Sequence, residues 1–379
     1  MEQNRSNFKM LYILIRVMKN IYVLVSVLSI LVSCTNVRQE ADTSKKLTFD
    51  KTKSMKIQMT SFLSPVNIVH LDFSDSTMID GNACLLCDDE TYFVYSKGST
   101  MPVMRFDKKG HFLNYISRLG NGPEEYNEIK DACLNKQKKV IEILSGDYIY
   151  AYDYAGNFVK RLNHHQSALS FAIDEKENYW FYLGNNAVVD DAKMVKMNAL
   201  CNNSQKLLHE KSTLLPMIEA NFCKESALLT FKETLSHDIY RIVDGKLEKS
   251  YSLDFPGYHL PNKLHETPPM EVVDLLSNSN YASVLYCSEN EEYLLLQVLL
   301  NSIDRVNTEM YYWIYKKSSN KDVIICLDKT IPADSYIYYP QFLSENGKLY
   351  LMGFVLNQEN ETVNTEENPA IVVVDVDNF

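Results

Sequence analysis

Residues 104–116, MRFDKKGHFLNYI, alternate apolar and polar positions on either side of a short polar break. Met104 and Phe106 flank Arg105, and Phe112 stands between His111 and Leu113. A period of two around a break predicts a β-hairpin. Asp107 and Gly110 bracket the turn: Asp bonds backbone groups two residues on, and Gly supplies the positive φ of a tight reversal. Residues 150–162, YAYDYAGNFVKRL, repeat the pattern, with Asp153, Gly156 and Phe158 at the same offsets. Weaker echoes lie at 194–198, at 239–247 with Asp244-Gly245 as the turn, at 311–317 and at 371–375. From Asp107 to Asp153, Asn198 and Asp244 the intervals are about 46, 45 and 46 residues. A period in the forties built of four short strands predicts a β-propeller blade, and six echoes predict an all-β, six-bladed propeller.

The sixth blade runs out at the C-terminus with three strands, so an N-terminal segment, from 55–63 or 67–73, is expected to close the ring. In blade four the apolar runs place strands at 219–223 and 227–231. Thr267-Pro268-Pro269 ahead of Met270-Glu271-Val272-Val273-Asp274-Leu275-Leu276 predicts one short helix in an insertion between blades four and five, with Thr267 as N-cap and Pro in the first turn.

The first 46 residues lie outside this pattern. Residues 21–32 are apolar but short for a membrane span. Lys19 precedes them and Leu31-Val32-Ser33-Cys34 ends them, an arrangement similar to the lipobox of bacterial lipoproteins, with Met18 as the better start. The resemblance implies that residues 1–33 are a signal peptide and that Cys34 carries lipid, the alternative being an uncleaved anchor helix. Residues 34–46 are expected as a flexible tether and 47–379 as the propeller domain. The expected address is the cell envelope, on an outer membrane, with the facing side left open.

The net charge of −11 becomes about −14 once residues 1–33 are removed. Phosphate binding needs clustered Lys and Arg, and no such cluster stands out, so nucleic acid is excluded as a partner. Seven cysteines remain besides Cys34, an odd number that cannot all pair. Most fall in strands, where a thiol packs as a small hydrophobe. Cys84 and Cys87 are three apart, which on a strand turns them to opposite faces, so no metal site is assigned.

Phe106-Asp107-Lys108-Lys109-Gly110-His111-Phe112, followed by Gly120-Asn121-Gly122-Pro123-Glu124-Glu125-Tyr126, resembles the six-bladed β-propeller lipoproteins of gut Bacteroides-type bacteria, which are NHL-like in architecture. That family's loop commonly reads G-x-G-P-G-E-Y, and Glu124 stands here where the last glycine, after the proline, is usual. The resemblance implies a lipid-anchored propeller. It implies no particular activity, no cofactor and no catalytic residues.

Propeller connections alternate between two faces. Short turns, such as 107–110 and 153–156, collect on one. The long segments 118–128, 163–167, 184–193, 254–282, 300–309 and 355–369 collect on the other. Long loops on a rigid scaffold are where binding sites concentrate. On that face Arg118 and Tyr126 flank the Gly-Pro loop and present a fork and a ring suited to a carboxylate or sugar. The plainer alternative is that Arg118 pairs a neighbouring acid and Tyr126 packs the loop. His164-His165 and Asp190-Asp191 lie on the same face and read first as solvated loop. There is no G-x-S-x-G, H-E-x-x-H or P-loop. The expected function is therefore a binding or interaction module for a glycan, a peptide or another envelope protein, through Arg118, Tyr126, His164 and His165. The alternative is a propeller hydrolase or lyase acting on extracellular polymers.

Overall fold

The computed structural model describes residues 44–57, 65–74, 77–116, 118–184, 192–209, 212, 214, 219–303, 308–327, 336–355 and 367–378. Three strands precede the first complete blade: β1 (Lys45–Thr48), β2 (Met55–Ile57) and β3 (Pro65–His70). Blade one is β4 (Ala83–Cys87), β5 (Thr91–Ser96), β6 (Val103–Asp107) and β7 (Phe112–Ile116). Blade two is β8 (Asp131–Asn135), β9 (Val140–Ser145), β10 (Tyr148–Asp153) and β11 (Phe158–Asn163). Blade three is β12 (Ser170–Ile173), β13 (Tyr179–Tyr182), β14 (Met194–Met197) and β15 (Ser204–Leu207). Blade four is β16 (Phe222–Cys223), β17 (Thr230–Lys232), β18 (Asp238–Val243) and β19 (Lys246–Asp254). Blade five is β20 (Tyr281–Glu289), β21 (Tyr293–Asn301), β22 (Glu309–Lys316) and β23 (Lys321–Leu327). Blade six is β24 (Tyr336–Leu343), β25 (Lys348–Val355) and β26 (Ala370–Asp375), completed by β3. The protein is a six-bladed β-propeller closed by an N-terminal strand.

The repeated hairpin has a local cause. The Asp107 carboxylate accepts from the backbone N–H of Lys109 (2.8 Å) and His111 (3.0 Å). Asp153 does the same for Ala155 (3.0 Å) and Asn157 (2.8 Å). Gly110 and Gly156 take φ of 92° and 89°, a region open to Gly at little cost. The cores lie between blades, each sheet packing on the next. Cys84 faces the blade-two side and Cys87 the blade-six side of β4, the opposition that their spacing implies.

Closure runs His70↔Ala370 to Pro65↔Val374, antiparallel. The same segment does more than the sequence suggested. β1 adds to β19 and β2 adds to β23, both in parallel, so blades four and five have five strands. β1 takes in Lys45 and Lys46, the last two residues of the expected tether. Between β1 and β2, Phe49 is buried, and its ring lies 5.6 Å from Phe255, 5.2 Å from Tyr311 and 5.4 Å from Trp313. One side chain thus pins the strap to two blades. Phe49→Ala is expected to cost about 3–5 kcal/mol, the range for emptying a buried aromatic site. Urea denaturation measures it, and a loss within about 0.5 kcal/mol, typical of a surface change, would show the strap to be passive.

One α-helix occurs among the described residues, α1 (Pro269–Ser277), between β19 and β20. Its N-cap is Pro268 and not Thr267, whose hydroxyl instead donates to the Lys263 carbonyl at 2.8 Å. Val272 roots it against Leu214 and Leu264.

Candidate functional site

The two ends of the ring differ. On one end the connections are short, none longer than 198–203 or 224–229. From the other end leave the longer connections, which join β3 to β4, β7 to β8, β13 to β14, β15 to β16, β19 to β20 and β25 to β26. The long-loop face expected from the sequence is therefore present, and what separates the two faces is the axis.

The innermost strand of each blade has a free edge at the axis, and its N–H and C=O groups need partners. Side chains from other blades supply them. Asp131 accepts from Phe171 N (3.1 Å), Gln341 from Leu85 N (2.9 Å), Ser288 from Leu343 N (2.9 Å), and Glu225 from Cys87 N. Much of this comes from one place. After β16 the chain leaves blade four and crosses the axis. Lys224 donates to the Asp131 carboxylate (2.6 Å) and the Ala132 carbonyl (2.7 Å) of blade two. Glu225 pairs with Lys136 of blade two at 2.8 Å. Ser226 bonds Ser288 of blade five and accepts from Leu343 N of blade six at 3.3 Å. Blade four sits opposite blade one in a six-membered ring, so contacts to blades one, two and six require residues 223–226 to span the channel.

This corrects the sequence reading of blade four. Its strands are β16 and β17, not 219–223 and 227–231, because residues 224–229 are a crossing segment and not a turn.

On the long-loop side of the crossing lies a buried charge cluster. Asp131 is fully buried and bonds the Tyr95 hydroxyl (2.8 Å) together with Lys224 and, at 3.3 Å, Lys97. Burial works against its charge, but the Lys224 and Lys97 ammoniums outweigh that and hold it below the usual carboxylate range. Lys97 also donates to the Glu219 carbonyl at 3.1 Å, and Lys232 pairs with the Glu219 carboxylate at 3.1 Å. Burial disfavours the Lys97 charge, yet Asp131 raises its pKa above the ordinary value. Glu225, toward the short-turn end, is pushed up by burial against the opposing pull of Lys136.

The residues singled out from sequence separate into exposed and buried sets. Arg118 is exposed and pairs with Glu124 in its own loop. Tyr126 is only 1% exposed, lies beside Tyr150 and Tyr152, and donates its hydroxyl to the Ile116 carbonyl at 3.3 Å. Burial removes Tyr126 from the surface a ligand can reach. The Gly-Pro loop has its own logic: a Cβ at Gly120 would meet the Glu125 carboxylate at 2.0 Å, and that carboxylate accepts from Gly122 N at 2.8 Å. The glycines make room for Glu125 to brace the turn.

His165 is exposed, whereas His164 is fully buried with its ring stacked on Phe181 at 4.5 Å. Its Nδ1 accepts from Gln166 N at 3.1 Å, and its Nε2 has no hydrogen-bond partner among the described residues. Burial first, then Lys130 and His165, push His164 down to about 4. The unfolded side chain titrates near 6.5, so between those values the unfolded chain binds more protons. Stability is then fully present above pH 6.5, falls as pH drops toward 4, and levels off below. The expected loss is about 3 kcal/mol. Unfolding free energies from pH 7 to 4 should be flatter for His164→Phe, and equal slopes for both proteins would remove His164 as the cause.

Cys34 and Asp190-Asp191 lie outside the described residues. The other seven cysteines are thiols outside any disulfide, with burial pushing Cys87 and Cys133 up to about 12. Among the described residues no group of three or more His, Cys, Asp or Glu could hold a metal ion, and no helix is long and apolar enough to cross a membrane. Sequence reasoning missed Lys97, Asp131, Lys224 and Glu219, which carry no motif and come from blades one, two and four.

The profile of a family described as a domain of unknown function, DUF4934, matches residues 44–375. Among solved structures, a Bacteroides fragilis protein described as exported is 16% identical, with a TM-score of 0.68 over 87% of this chain and 99% of its own. A member of the DUF4221 family from Bacteroides vulgatus is 10% identical, with a TM-score of 0.53 over 82% of this chain and 97% of its own. At these identities the likeness is one of fold. No curated protein matches the chain.

Proposed function

The chain belongs to the DUF4934 family, and we propose that it is a lipid-anchored binding module of the cell envelope that takes its ligand or protein partner on the long-loop face. One observation carries this reading: the long connections leave one end of a ring whose axis is crossed by residues 223–226 from blade four. A ring held shut across its axis is a rigid platform, and the loops on its other end are free to vary in what they recognise. Asp131, held ionised by two ammonium groups, suits a structural role better than that of an acid that gives up a proton at neutral pH. Arg118 and His165 remain exposed on the binding face and are candidate contacts there. The envelope address draws on Lys19, the apolar run 21–32 and Cys34, and on the description of the Bacteroides fragilis neighbour as exported.

Two experiments test the parts separately. Thermal unfolding of the domain from Ser44 onward, screened against glycans, peptides and divalent cations, should find a ligand that raises the melting temperature, because a ligand bound only by the native state must do so. No shift with any of them, and no envelope protein retained by the immobilised domain, would count against a binding module. Labelling with radioactive palmitate should mark the full chain and not Cys34→Ala, and label on both would remove the anchor.

A further inference from the structure

The N-terminal strap joins lysines that the sequence divides between two elements. Lys45 and Lys46 fall in the expected tether, and Lys51, Lys53 and Lys56 in the expected propeller domain, so no basic cluster stands out along the chain. In the structure all five lie on β1, on β2 and on the 3₁₀ turn between them (Lys51–Lys53). This strap runs along the outermost strands of blades four and five. Residues 44–64 contain these five lysines and one acid, Asp50, within a chain of net charge −11.

All five lysines are exposed, with 69% of the Lys46 and 65% of the Lys53 side chain open to solvent. Lys46 pairs with Asp254 (3.0 Å), Lys53 with Asp50 (3.5 Å) and Lys51 with Glu309. Exposed pairs of this kind hold a lysine weakly, so the ammonium groups are able to turn outward to a phosphate. Lys45 donates to Asn320 Oδ1 at 2.6 Å. Buried Phe49 fixes the strap to the ring, which keeps the charges on ordered backbone.

The position of the strap supplies the partner. Cys34 precedes Lys45 by eleven residues (45 − 34), and eleven residues span at most about 40 Å fully extended. Resting on Cys34 carrying lipid, we infer that the strap is a docking surface for an anionic phospholipid bilayer, with Lys46, Lys53 and Lys56 contacting headgroup phosphates. An anionic bilayer repels an acidic chain everywhere else, so the strap sets which side turns toward it. Because β1 and β2 are the outermost strands of their blades, the ring stands on its rim and the long-loop face opens along the membrane surface.

The domain from Ser44 onward lacks Cys34, so its membrane binding reports the strap and not the anchor. It should sediment with vesicles of phosphatidylcholine and phosphatidylglycerol, come off as salt rises, and stay in solution with phosphatidylcholine alone. Lys46→Gln, Lys53→Gln and Lys56→Gln combined should lower the affinity about a hundredfold, at roughly fivefold per lysine near an anionic surface, and the same three changed to Arg should retain it. Lys109→Gln, Lys138→Gln and Lys139→Gln combined, an equal charge change at the short-turn end, should have a much smaller effect. All six lysines are exposed, so both triple variants keep the fold. Acetylation by acetic anhydride, read by mass spectrometry, should slow at Lys46, Lys53 and Lys56 when the anionic vesicles are present. No binding to those vesicles, equal losses from the two triple variants, vesicle binding without slowed acetylation at the strap, or tighter binding to a soluble DNA fragment would each overturn the inference. Each would leave the anchor standing, because palmitate labelling of the full chain tests it alone. Loss of that label with strap-dependent vesicle binding intact would remove the anchor and keep the docking surface.

Discussion

Deleting residues 55–73 is expected to abolish the cooperative unfolding transition of the domain. The deletion removes β2 and β3, and β3 is the outer strand of blade six. It leaves the edge of β26 that faces away from β25 without a partner, although Ala370, Ile371, Val372, Val373 and Val374 of that strand are all buried. Each pairing lost leaves a backbone donor or acceptor of that strand unsatisfied while it stays buried, at about 1–3 kcal/mol apiece. Native domains have only about 5–15 kcal/mol to lose. Calorimetry should show no native endotherm. A truncated protein that melts like the parent would mean that the ring is held by something other than β3.

Asp131→Asn is expected to have the second largest effect, at the axis. The amide keeps the shape but not the charge, so Lys97 and Lys224 lose their shared counter-ion while Lys224 is only 7% exposed. Removing one partner of a buried ion pair typically costs about 3–5 kcal/mol. The substitution also weakens the acceptor for Phe171 N, the link from blade two to blade three. Urea unfolding of the variant measures the loss. A companion variant, Lys224→Met, helps to apportion it: if the crossing segment ties the blades together, the double variant should lose less than the sum of the two single losses. Additive losses would mean that Asp131 and Lys224 act independently.

Much of the fold was legible because its signal is local. The Asp and Gly of the hairpin at residues 104–116 act within five residues of one another, and the same chemistry recurs at Asp153 and Gly156. β1 and β2 were not legible. They are strands of four and three residues that take their partners from β19 and β23, and nothing in KKLT or MKI announces a parallel neighbour more than two hundred residues away. Residues 227–231 read as a strand because Ala-Leu-Leu is apolar, yet the chain before β17 must bend across the axis to satisfy inner edges that belong to other blades.

The candidate site followed the same division. That the long loops share one face follows from strand alternation alone, and the structure has them there. Which side chains that face exposes does not follow. Tyr126 and His164 look like ligand groups in a loop sequence, but both are buried, by Tyr150 and Tyr152 in one case and by Phe181 in the other. Lys97 and Glu219 are ordinary residues in the sequence. They become a pair at the mouth only because blades one and four face each other across the axis.

The most direct test of a binding module built on one face is amide hydrogen exchange, measured on the domain with and without the ligand that most raises its melting temperature. New protection is expected in connections of the long-loop end, in 97–102, 117–130, 208–221 and 255–280, with the turns of the opposite end unchanged. Protection confined to the short-turn connections, such as 108–111, 136–139 and 244–245, would contradict the account.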